Sequence, residues 1–283
     1  NPAAAPPTDF FTDKVGRSPL LVSDSGVEVV QGDVTDKAAV CRAAEGVAAI
    51  IDVHGVAPLR FSRFSDLWHD PEADPMHPAA VNFGGVKNVI AACKQHGVKH
   101  LVRLTGLSVA MPAWNPVVMI FNGLLSCTVK WHRRSEMLIR ESGIAYTVVQ
   151  PSGLRDGPQA SEAGSLLLLQ CEAASPMTTV PPKTGISRLD VASLCVMALC
   201  CKSCKNTTLR CASLPKDTAA PSGVQSSSEW PPLVASVVSD TSVLQDQNYV
   251  MYSTIGVGIF ASVLAGVGIG VVKVVQLAVH ALF

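Results

Sequence analysis

The chain has 283 residues, with 22 Lys plus Arg against 22 Asp plus Glu, so its net charge at pH 7 is zero. A duplex-binding protein normally has a basic face, and the balanced charge therefore argues against nucleic acid as a partner. The length is sufficient for one large α/β domain and an additional segment.

The first part of the chain predicts strands that alternate with helices. GVEVVQGDVTD (26–36) is a β-branched run that ends in turn residues, which indicates a strand and the start of a helix. That short helix is expected to end at Gly46. VAAIIDVHG (47–55) has the apolar run of a strand buried on both faces of a parallel sheet. A helix over 77–97 and a strand over 98–106 follow.

One long helix is predicted to begin at Pro116, with Asn115 as its cap, and to end at Gly143. Its first half is apolar all round, which is typical of a buried or interface helix, and its second half is amphipathic. The second half also carries a basic face, which suits either a solvated surface or an anionic ligand or lipid surface: Lys130, Arg133, Arg134 and Arg140.

Further along, a strand over 144–149, a helix over 187–200 and a strand over 206–214 complete the alternation. Strands alternating with helices indicate βαβ units, and the predicted fold class is α/β with a doubly wound parallel sheet. The expected organisation has four parts: an irregular segment 1–25, the α/β domain 26–214, a linker 215–248 rich in Ser, Pro and Val, and a C-terminal segment 249–283.

The C-terminal segment predicts a transmembrane helix. Val250 to Val272 is a run of 23 residues without a charge. As a helix it would be about 34 Å long, enough to cross a hydrocarbon core of about 30 Å. Tyr249 and Tyr252 at one edge and Lys273 at the other suit the membrane interfaces. A buried core helix is the alternative interpretation.

Small residues recur every fourth position along this segment and therefore lie on one face of a helix: Gly258, Ser262, Gly266 and Gly270. Such a face allows another helix to approach closely. It predicts packing against integral membrane subunits, whereas a simple lipid anchor would not need it.

Residue types that can bind metals occur in the 69–77 stretch and among the cysteines. HDPEADPMH (69–77) contains hard-metal ligands at tight spacing, but an acidic surface loop explains it equally well, and no metal is predicted. The nine cysteines are odd in number and lie in apolar runs, which indicates reduced thiols. Cys201 and Cys204 form a Cys-x-x-Cys pair, which is either a helix end with small thiols or a metal or redox site.

Four stretches, taken together and in order, resemble a known family: GVEVVQGDVTD, VNFGGVKNVIAACKQHGVKHLVRLTGLS, RRSEMLIRESGIAYTVVQPSGLRDGP and ISRLDVASLCVMAL. They are similar to the atypical short-chain dehydrogenase/reductases, in the NmrA-like, NAD(P)-binding branch that has many chloroplast members. The resemblance runs from about Gly26 to Leu214. It implies a Rossmann-type sheet that binds NAD(P) at the carboxyl ends of its strands.

The resemblance also implies roles for particular residues. Asp33 would contact the adenine with Val34 beside it, Gly55 would lie near the ribose and phosphates, and Pro151 and Gly153 would lie near the nicotinamide. The glycine-rich turn that normally binds the pyrophosphate, with its strand and helix, is not found before Gly26. NAD(P) binding is therefore in doubt.

The missing elements also predict a structural consequence. Without the family's first two strands, the strand predicted at 26–31 has no partner, and one edge of the 47–55 strand is bare. Since the chain begins with Asn, we expect a processed or truncated chain, or a fold rebuilt around another partner.

The active relatives carry a catalytic Tyr-x-x-x-Lys pair, and its presence or absence here indicates whether the family's reaction is retained. By alignment on EMLIRESG, Thr128 stands at the Tyr position and His132 at the Lys position, and Thr105 and Gly106 replace the upstream serines. Threonine has no acidity near neutral pH, so standard carbonyl reduction is expected to be lost, although His132 could donate a proton.

The sequence thus predicts a membrane-anchored, catalytically degenerate accessory, scaffold or assembly subunit. By resemblance it belongs to a thylakoid photosystem complex with its domain on the stromal side, or alternatively to the mitochondrial inner membrane. An NAD(P)H-dependent oxidoreductase acting on quinones or isoprenoids is the second hypothesis. A sensor whose occupancy by NADP(H) tunes assembly is the third.

Overall fold

In the part of the chain that the structure describes, eight strands form one sheet. The structure, a computed structural model, describes residues 28–56, 66, 74–160, 164–169, 177, 185–215, 218–220, 224–240 and 242–266. Within these residues the strands are β1 Ala49–Asp52, β2 His100–Leu104, β3 Tyr146–Pro151, β4 Gly153–Arg155, β5 Gly164–Leu169, β6 Gly185–Ser187, β7 Thr207–Pro215 and β8 Gln225–Ser227.

The strands β1, β2, β3 and β7 lie side by side in that order, and all neighbours are parallel. Beyond β7 the sheet continues through β5 and β8, both antiparallel to their neighbours. The short strand β6 pairs with both β4 and β7. The predicted α/β class with a parallel sheet is confirmed for its central part.

The described helices are α1 Lys37–Ala43, α2 Gly85–His96, α3 Pro116–Leu124, α4 Thr128–Glu141, α5 Arg188–Cys200, α6 Trp230–Ala235 and α7 Tyr249–Gly266. A π-helical segment, Ala79–Gly84, leads into α2, and short 3-10 turns lie at Leu107–Ala110 and Lys202–Cys204.

Helices cover both faces of the sheet. Leu101 and Val102 are consecutive in β2 and fully buried, but they belong to different hydrophobic clusters. Leu101 packs with residues of α2 and α4, whereas Val102 packs with residues of α5 and α6. This follows from the strand period of two, which points successive side chains to opposite faces. It explains why these strands are apolar without alternation.

Several predicted helix ends are confirmed. Gly97 and Gly143 take left-handed φ angles of +66° and +78°, a conformation that costs glycine nothing. The side chain of Asn115 accepts a hydrogen bond from the backbone N–H of Val117 at 2.9 Å, as an N-cap does. The helix predicted between Lys37 and Gly46 is also present.

The prediction of one continuous helix from Pro116 to Gly143 is wrong. The backbone breaks after Leu124, where Ser126 and Cys127 have positive φ angles of 51° and 56°. Asn122 in α3 then caps the start of α4, because its Oδ1 accepts from the backbone N–H of Val129 and of Lys130 at 3.0 and 3.2 Å. Two helices joined by a three-residue turn therefore replace the one that was expected.

The strand expected at 26–31 is not formed in its described part. Residues 28–32 have no regular structure, and Val29 and Val30 are 58% and 55% exposed. In the described part of the sheet, β1 lies at one edge, where Ile51 is 36% exposed. A β-branched run forms a strand only when a neighbour completes its hydrogen bonds.

Residues 215–248, expected to be a linker, contain a strand and a helix that pack on the domain. Trp230 in α6 is buried and its Nε1 donates to the carbonyl of Asp190 at 2.8 Å. Leu233 and Val234 of α6 are buried in the same cluster as the core of α5. The domain therefore extends well beyond residue 214, because this segment supplies part of its core.

The C-terminal helix α7 packs against α3. Tyr249 and Ser253 are buried on that side. A Cβ added to Gly123 would lie 2.7 Å from Cγ2 of Val257, and one added to Gly256 would lie 2.9 Å from Cβ of Met119. Glycine on each helix thus permits a close approach of the two backbones.

No helix among the described residues is long and apolar enough to cross a membrane, and residues 267–283 lie outside them. The transmembrane helix expected over 250–272 is therefore not supported. Gly258 is exposed, and a Cβ added to it would meet nothing within 4 Å. The side chains at Ser262 and Gly266, and the whole of Gly270, lie outside the described part, so the packing of this small-residue face on a partner stays a prediction.

Candidate cofactor site

A cluster of buried charged side chains lies at the carboxyl ends of β1 and β2. Asp52 is the last residue of β1, and Arg103 is its direct neighbour in β2. Nη1 of Arg103 is 2.9 Å from Oδ1 of Asp52, and the two side chains are 0% and 4% exposed. Because the two strands are parallel and in register, both side chains leave the same face of the sheet at the same level.

His54 completes this cluster. Its Nδ1 contacts Oδ1 of Asp52, and its Nε2 is 3.0 Å from the carbonyl oxygen of Val81. Nη1 of Arg103 also donates to the carbonyl oxygen of His54 at 3.0 Å. Burial acts to raise the pKa of Asp52, but the adjacent Arg103 and His54 outweigh it and hold that pKa below its ordinary value.

By alignment, His132 stands at the lysine position of the catalytic pair. It lies close enough to this cluster for the cluster's charges to change the pKa of His132. Burial, followed by the positive charges of Arg103 and His54, lowers the pKa of His132 to about 3. Its imidazole is therefore neutral at physiological pH. It cannot act there as an imidazolium that gives a proton to substrate, as the sequence alone had allowed.

Thr128, the other stand-in residue, is held by Asn82. Nδ2 of Asn82 donates to Oγ1 of Thr128 at 3.2 Å, and Oδ1 of Asn82 accepts from the backbone N–H of Val56 at 3.1 Å. A Cβ added to Gly55 would lie 3.9 Å from that same oxygen. Asn82 thus lies between Gly55, which the resemblance predicts as a cofactor residue, and Thr128, which by alignment stands at the family's tyrosine position.

A second polar network lies behind these residues, across β3 and β7. Glu136 of α4 is fully buried and accepts from Oγ1 of Thr105 at 2.6 Å. Its two oxygens each accept from Nε2 of Gln150 at 3.0 Å, and Oε1 of Gln150 accepts from Nε of Arg210 at 3.2 Å. Thr105 stands, by alignment, at the family's serine position. Its hydroxyl therefore donates its one proton to Glu136.

Val34 and His54 converge on Gly85 at the start of α2. A Cβ at Gly85 would lie 2.9 Å from both Nε2 of His54 and Cγ2 of Val34, so only glycine fits there. The carbonyl of Val34 accepts from Nδ2 of Asn88 at 2.9 Å. The structure therefore places Val34 at the same edge as Asp52 and Gly55.

Asp33 is exposed next to this group. Its Oδ1 accepts from the backbone N–H and from Oγ1 of Thr35, both at 2.8 Å. The backbone hydrogen bond from Thr35, and then its hydroxyl, lower the pKa of Asp33. The carboxylate is thus fixed by a local turn, and its contact with an adenine stays a prediction.

Pro151 and Gly153 lie at the end of β3, two strands away from β1. Pro151 is buried and pairs with Cys211 of β7, and Gly153 begins β4 and pairs with Gly185. Both are at the carboxyl edge of the sheet, as a nicotinamide position requires, but their role there stays a prediction.

The basic face of α4 binds the chain's own C-terminal part. Arg140 forms a buried ion pair with Asp240 at 3.1 Å, and Arg134 pairs with Asp246 at 2.9 Å. Arg133 is buried and donates to the carbonyls of Val109 and Gln245. These three arginines are therefore not a free surface for an anionic ligand or lipid.

Of the possible metal ligands in the acidic 69–77 stretch, only Asp74 and His77 lie within the described residues. His77 is fully buried, and its Nδ1 accepts from the backbone N–H of Ala79 at 3.0 Å. Among the described residues no group of three His, Cys, Asp or Glu side chains could hold a metal ion. The other possible ligands of that stretch, His69, Asp70 and Glu72, lie outside them.

Sequence reasoning missed Asp52, Arg103 and Glu136. The available signals were a charged residue inside an apolar strand, in IIDVHG and in LVRLTG, and an acidic residue on the inner side of an amphipathic helix. Charged groups of this kind are almost never fully buried unless they are paired. The pairing itself depends on strand order, which the pattern does not show.

Four buried polar atoms of the first cluster find no hydrogen-bond partner among the described residues. They are Oδ2 of Asp52, Nε and Nη2 of Arg103, and Nδ1 of His132. Buried polar atoms in native proteins nearly always have a partner, so such a group indicates a place where another polar group belongs. Hydroxyl and phosphate groups of a dinucleotide fit this mixture of donors and acceptors.

Comparison with known proteins places the chain among dinucleotide-binding proteins. A family model described as NAD(P)H-binding matches residues 10–201. An uncharacterized chloroplastic protein of Arabidopsis thaliana is 30% identical over 201 residues, which cover 69% of this chain and 58% of that protein. Sanguinarine reductase of Eschscholzia californica is 27% identical over 213 residues, covering 68% and 74% of the two chains.

Among solved structures, a short-chain dehydrogenase/reductase of Veillonella parvula in complex with NADP is 14% identical. That match covers 72% of this chain and 81% of the other, with a TM-score of 0.49. The chain spans little more than half the length of the Arabidopsis relative.

Proposed function

This chain belongs to the NAD(P)H-binding family, and from that premise we propose that it binds an NAD(P) dinucleotide without catalysing reduction through a Tyr–Lys pair. The dinucleotide would lie at the carboxyl ends of β1 to β3. Val34 and Gly55 would line its adenosine and phosphate part, and Pro151 and Gly153 its nicotinamide end. When bound, the cofactor supplies a hydride donor or acceptor; the residues of this chain bind and orient it.

The observation that carries the proposal is the set of unpartnered buried atoms on Asp52, Arg103 and His132. Leaving a buried polar group unsatisfied costs about 1–3 kcal/mol, so four of them at one edge favour a polar ligand there. The position agrees with the rule that ligands of open α/β sheets bind outside the carboxyl ends of the strands.

The absence of dyad chemistry rests on Thr128 and His132. The hydroxyl of Thr128 accepts from Asn82, and a threonine cannot give up a proton as a tyrosine does. His132 is neutral and cannot carry the fixed positive charge with which a lysine lowers a tyrosine pKa. The chain's own residues therefore offer a place for the cofactor but not the usual acid.

Titration calorimetry of the 283-residue chain with NADPH, NADP, NADH and NAD tests the binding. We expect saturable binding of at least one of these, weakened about tenfold or more by Gly55→Val. A side chain at Gly55 fits the free protein, since the nearest atom to its Cβ is 3.9 Å away. The matched control is Gly258→Val, where nothing lies within 4 Å. A wild-type chain that binds none of the four would refute the proposal.

A second candidate function is an NAD(P)H-dependent reductase acting on a quinone- or isoprenoid-type substrate. Its support is the relative named sanguinarine reductase. Consumption of NADPH measured at a quinone panel distinguishes the two. Binding without turnover supports the first proposal, whereas NADPH consumption that depends on the added quinone would establish the second.

Location and partners form a further proposal. Two curated relatives are named chloroplastic, which supports a chloroplast protein. The exposed apolar row Met251, Ile255 and Ile259 on α7 suits contact with a partner protein. The proposed role as an accessory subunit of a thylakoid photosystem complex rests on the family resemblance. Fractionation of the native protein tests it: recovery only as a free monomer after mild solubilisation counts against a complex.

A further inference from the structure

Two cysteines with different environments lie three residues apart in the turn after α5. Cys201 precedes the 3-10 turn Lys202–Cys204, and the backbone N–H of Cys204 donates to the carbonyl of Cys201 at 3.2 Å. Both are free thiols, and Cys201 is partly exposed whereas Cys204 is buried. The pair is the Cys-x-x-Cys motif of the sequence, which the proposed cofactor site does not use.

The turn already has the geometry that a disulfide needs. A turn closed by a hydrogen bond between residues i and i+3 keeps their Cα atoms within about 7 Å. Disulfides join residues whose Cα atoms are about 4.4–6.8 Å apart. The backbone hydrogen bond from Cys204 to Cys201 therefore holds the two residues close to the separation that a disulfide spans.

The two sulfurs differ in exposure and in acidity. Cys201 is partly exposed, and its Sγ lies 2.9 Å from Oγ of Ser203. That hydrogen bond, with further ones from the backbone of Ser203 and Cys204, lowers the pKa of Cys201 despite some burial. Cys204 is fully buried, and burial followed by the neighbouring Cys201 raises its pKa to about 12. One thiol can therefore attack, and the other is protected.

Side chains from several elements hold this turn in place. The carbonyl of Cys204 accepts from Oγ1 of Thr147 at 2.7 Å and from Oγ1 of Thr207 at 2.6 Å. Oγ of Ser203 also lies 2.9 Å from the carbonyl oxygen of Val234, so its one proton goes either to that carbonyl or to Sγ of Cys201. Thr147 and Thr207 lie at the amino ends of β3 and β7, so the turn is at the opposite edge of the sheet from Asp52.

We propose that Cys201 and Cys204 form a thiol–disulfide exchange site whose partner is a disulfide. The Cys201 thiolate attacks one sulfur of the partner, forms a mixed disulfide and releases the other sulfur as a thiolate, which takes up a proton. Cys204 then loses its proton and attacks Cys201, which forms the Cys201–Cys204 bond and releases the second thiol. The chain is oxidised by two electrons and the partner disulfide is reduced to two thiols.

The experiment treats the reduced chain with oxidised glutathione, or with an oxidised Cys-x-x-Cys protein such as thioredoxin, and locates the products by peptide mass spectrometry. In the wild-type chain we expect a Cys201–Cys204 disulfide and no lasting adduct at Cys201. In Cys204→Ser we expect a stable mixed disulfide at Cys201. A reaction with glutathione shows that a small disulfide is sufficient; a reaction only with the protein identifies a protein partner.

Cys200→Ser is the matched control, because Cys200 is the adjacent exposed cysteine and has no place in the proposed exchange. It should leave the disulfide unchanged. At pH 7 we also expect iodoacetamide to modify Cys201 before Cys204, because Cys201 is partly exposed and Cys204 is buried. Mixed disulfides confined to Cys200, with no internal bond under either oxidant, would overturn the proposal.

Discussion

The helices α3 and α4 come from one stretch of sequence, 116–141, yet they have different roles. α3 is apolar and holds the C-terminal helix, with Gly123 against Val257. α4 is amphipathic and packs on the sheet, where it contributes Glu136 to a buried network and His132 to the candidate site. The break at Ser126 and Cys127 lets each half turn its own face to a different partner. The helix that holds the C-terminal helix and the helix that contributes to the candidate site are thus separated by a turn of only three residues.

The largest effect is expected on the α4 side, from Glu136→Ala. The change removes the acceptor of three hydrogen bonds from Thr105 and Gln150 and leaves a cavity, which should lower the free energy of unfolding by about 3–5 kcal/mol. Urea denaturation measures it. Glu141→Ala is the same substitution at an exposed position of α4 and should change stability by less than about 0.5 kcal/mol. Equal losses in the two variants would contradict the buried network.

On the α3 side, Gly123→Val should lower the free energy of unfolding by about 1–3 kcal/mol, since the new side chain overlaps Val257. The same substitution at Gly258, where a Cβ meets nothing within 4 Å, is the control and should be near neutral. Adding Val257→Ala to Gly123→Val should restore part of the loss. Failure of that rescue would mean that the contact between α3 and α7 is not the cause.

The junction between the two helices is tested with Asn122→Ala. Its loss removes the cap of α4 and should cost about 1–2 kcal/mol. Hydrogen exchange should become faster at the amides of Val129 and Lys130, which Asn122 now binds. Asn115→Ala removes the cap of α3 instead and should leave those two amides unchanged. If both variants act alike, α4 does not depend on α3 for its cap.

The smallest effect is the change in the free energy of unfolding that His132 causes for each pH unit. Its pKa is about 3 in the folded chain against an ordinary 6.5, so between these values the unfolded state binds the extra proton. Stability should therefore fall as pH falls below 6.5, by about 1.4 kcal/mol per pH unit for this one group. His132→Gln removes that contribution, and the two stability curves should converge as pH is lowered. Parallel curves would show that His132 is not buried as a neutral group.

Much of the framework follows from local signals. The caps at Asn115 and Ser187, and the glycines at 97 and 143, fix helix ends through hydrogen bonds and φ angles that depend only on neighbouring residues. The continuous apolar runs likewise indicated parallel strands. The break at Ser126 and Cys127 could not be predicted, because both adopt a conformation that neither residue favours alone and that packing around it imposes.

The candidate site was only partly predictable for a related reason. Val34 and Gly55 were identified by resemblance, but the Asp52–Arg103 pair exists because two strands far apart in sequence are neighbours in register. The C-terminal segment shows the same limit. Its apolar composition indicated burial, and whether lipid or protein covers it depends on what lies opposite; for Tyr249 and Ser253 the structure shows that it is the chain's own domain.

The sequence by itself thus determined the α/β class, most element positions and the Cys-x-x-Cys motif, and its resemblance to the family predicted that Thr128 and His132 replace the Tyr–Lys pair. Only the tertiary structure decided which charges are paired and that His132 is neutral. It also decided that Cys201 and Cys204 differ in exposure and acidity, and that three arginines of α4 bind residues 240–246 of the same chain. The physical reason is that secondary structure and caps depend on neighbours along the chain. Charge, acidity and exposure depend instead on neighbours in space.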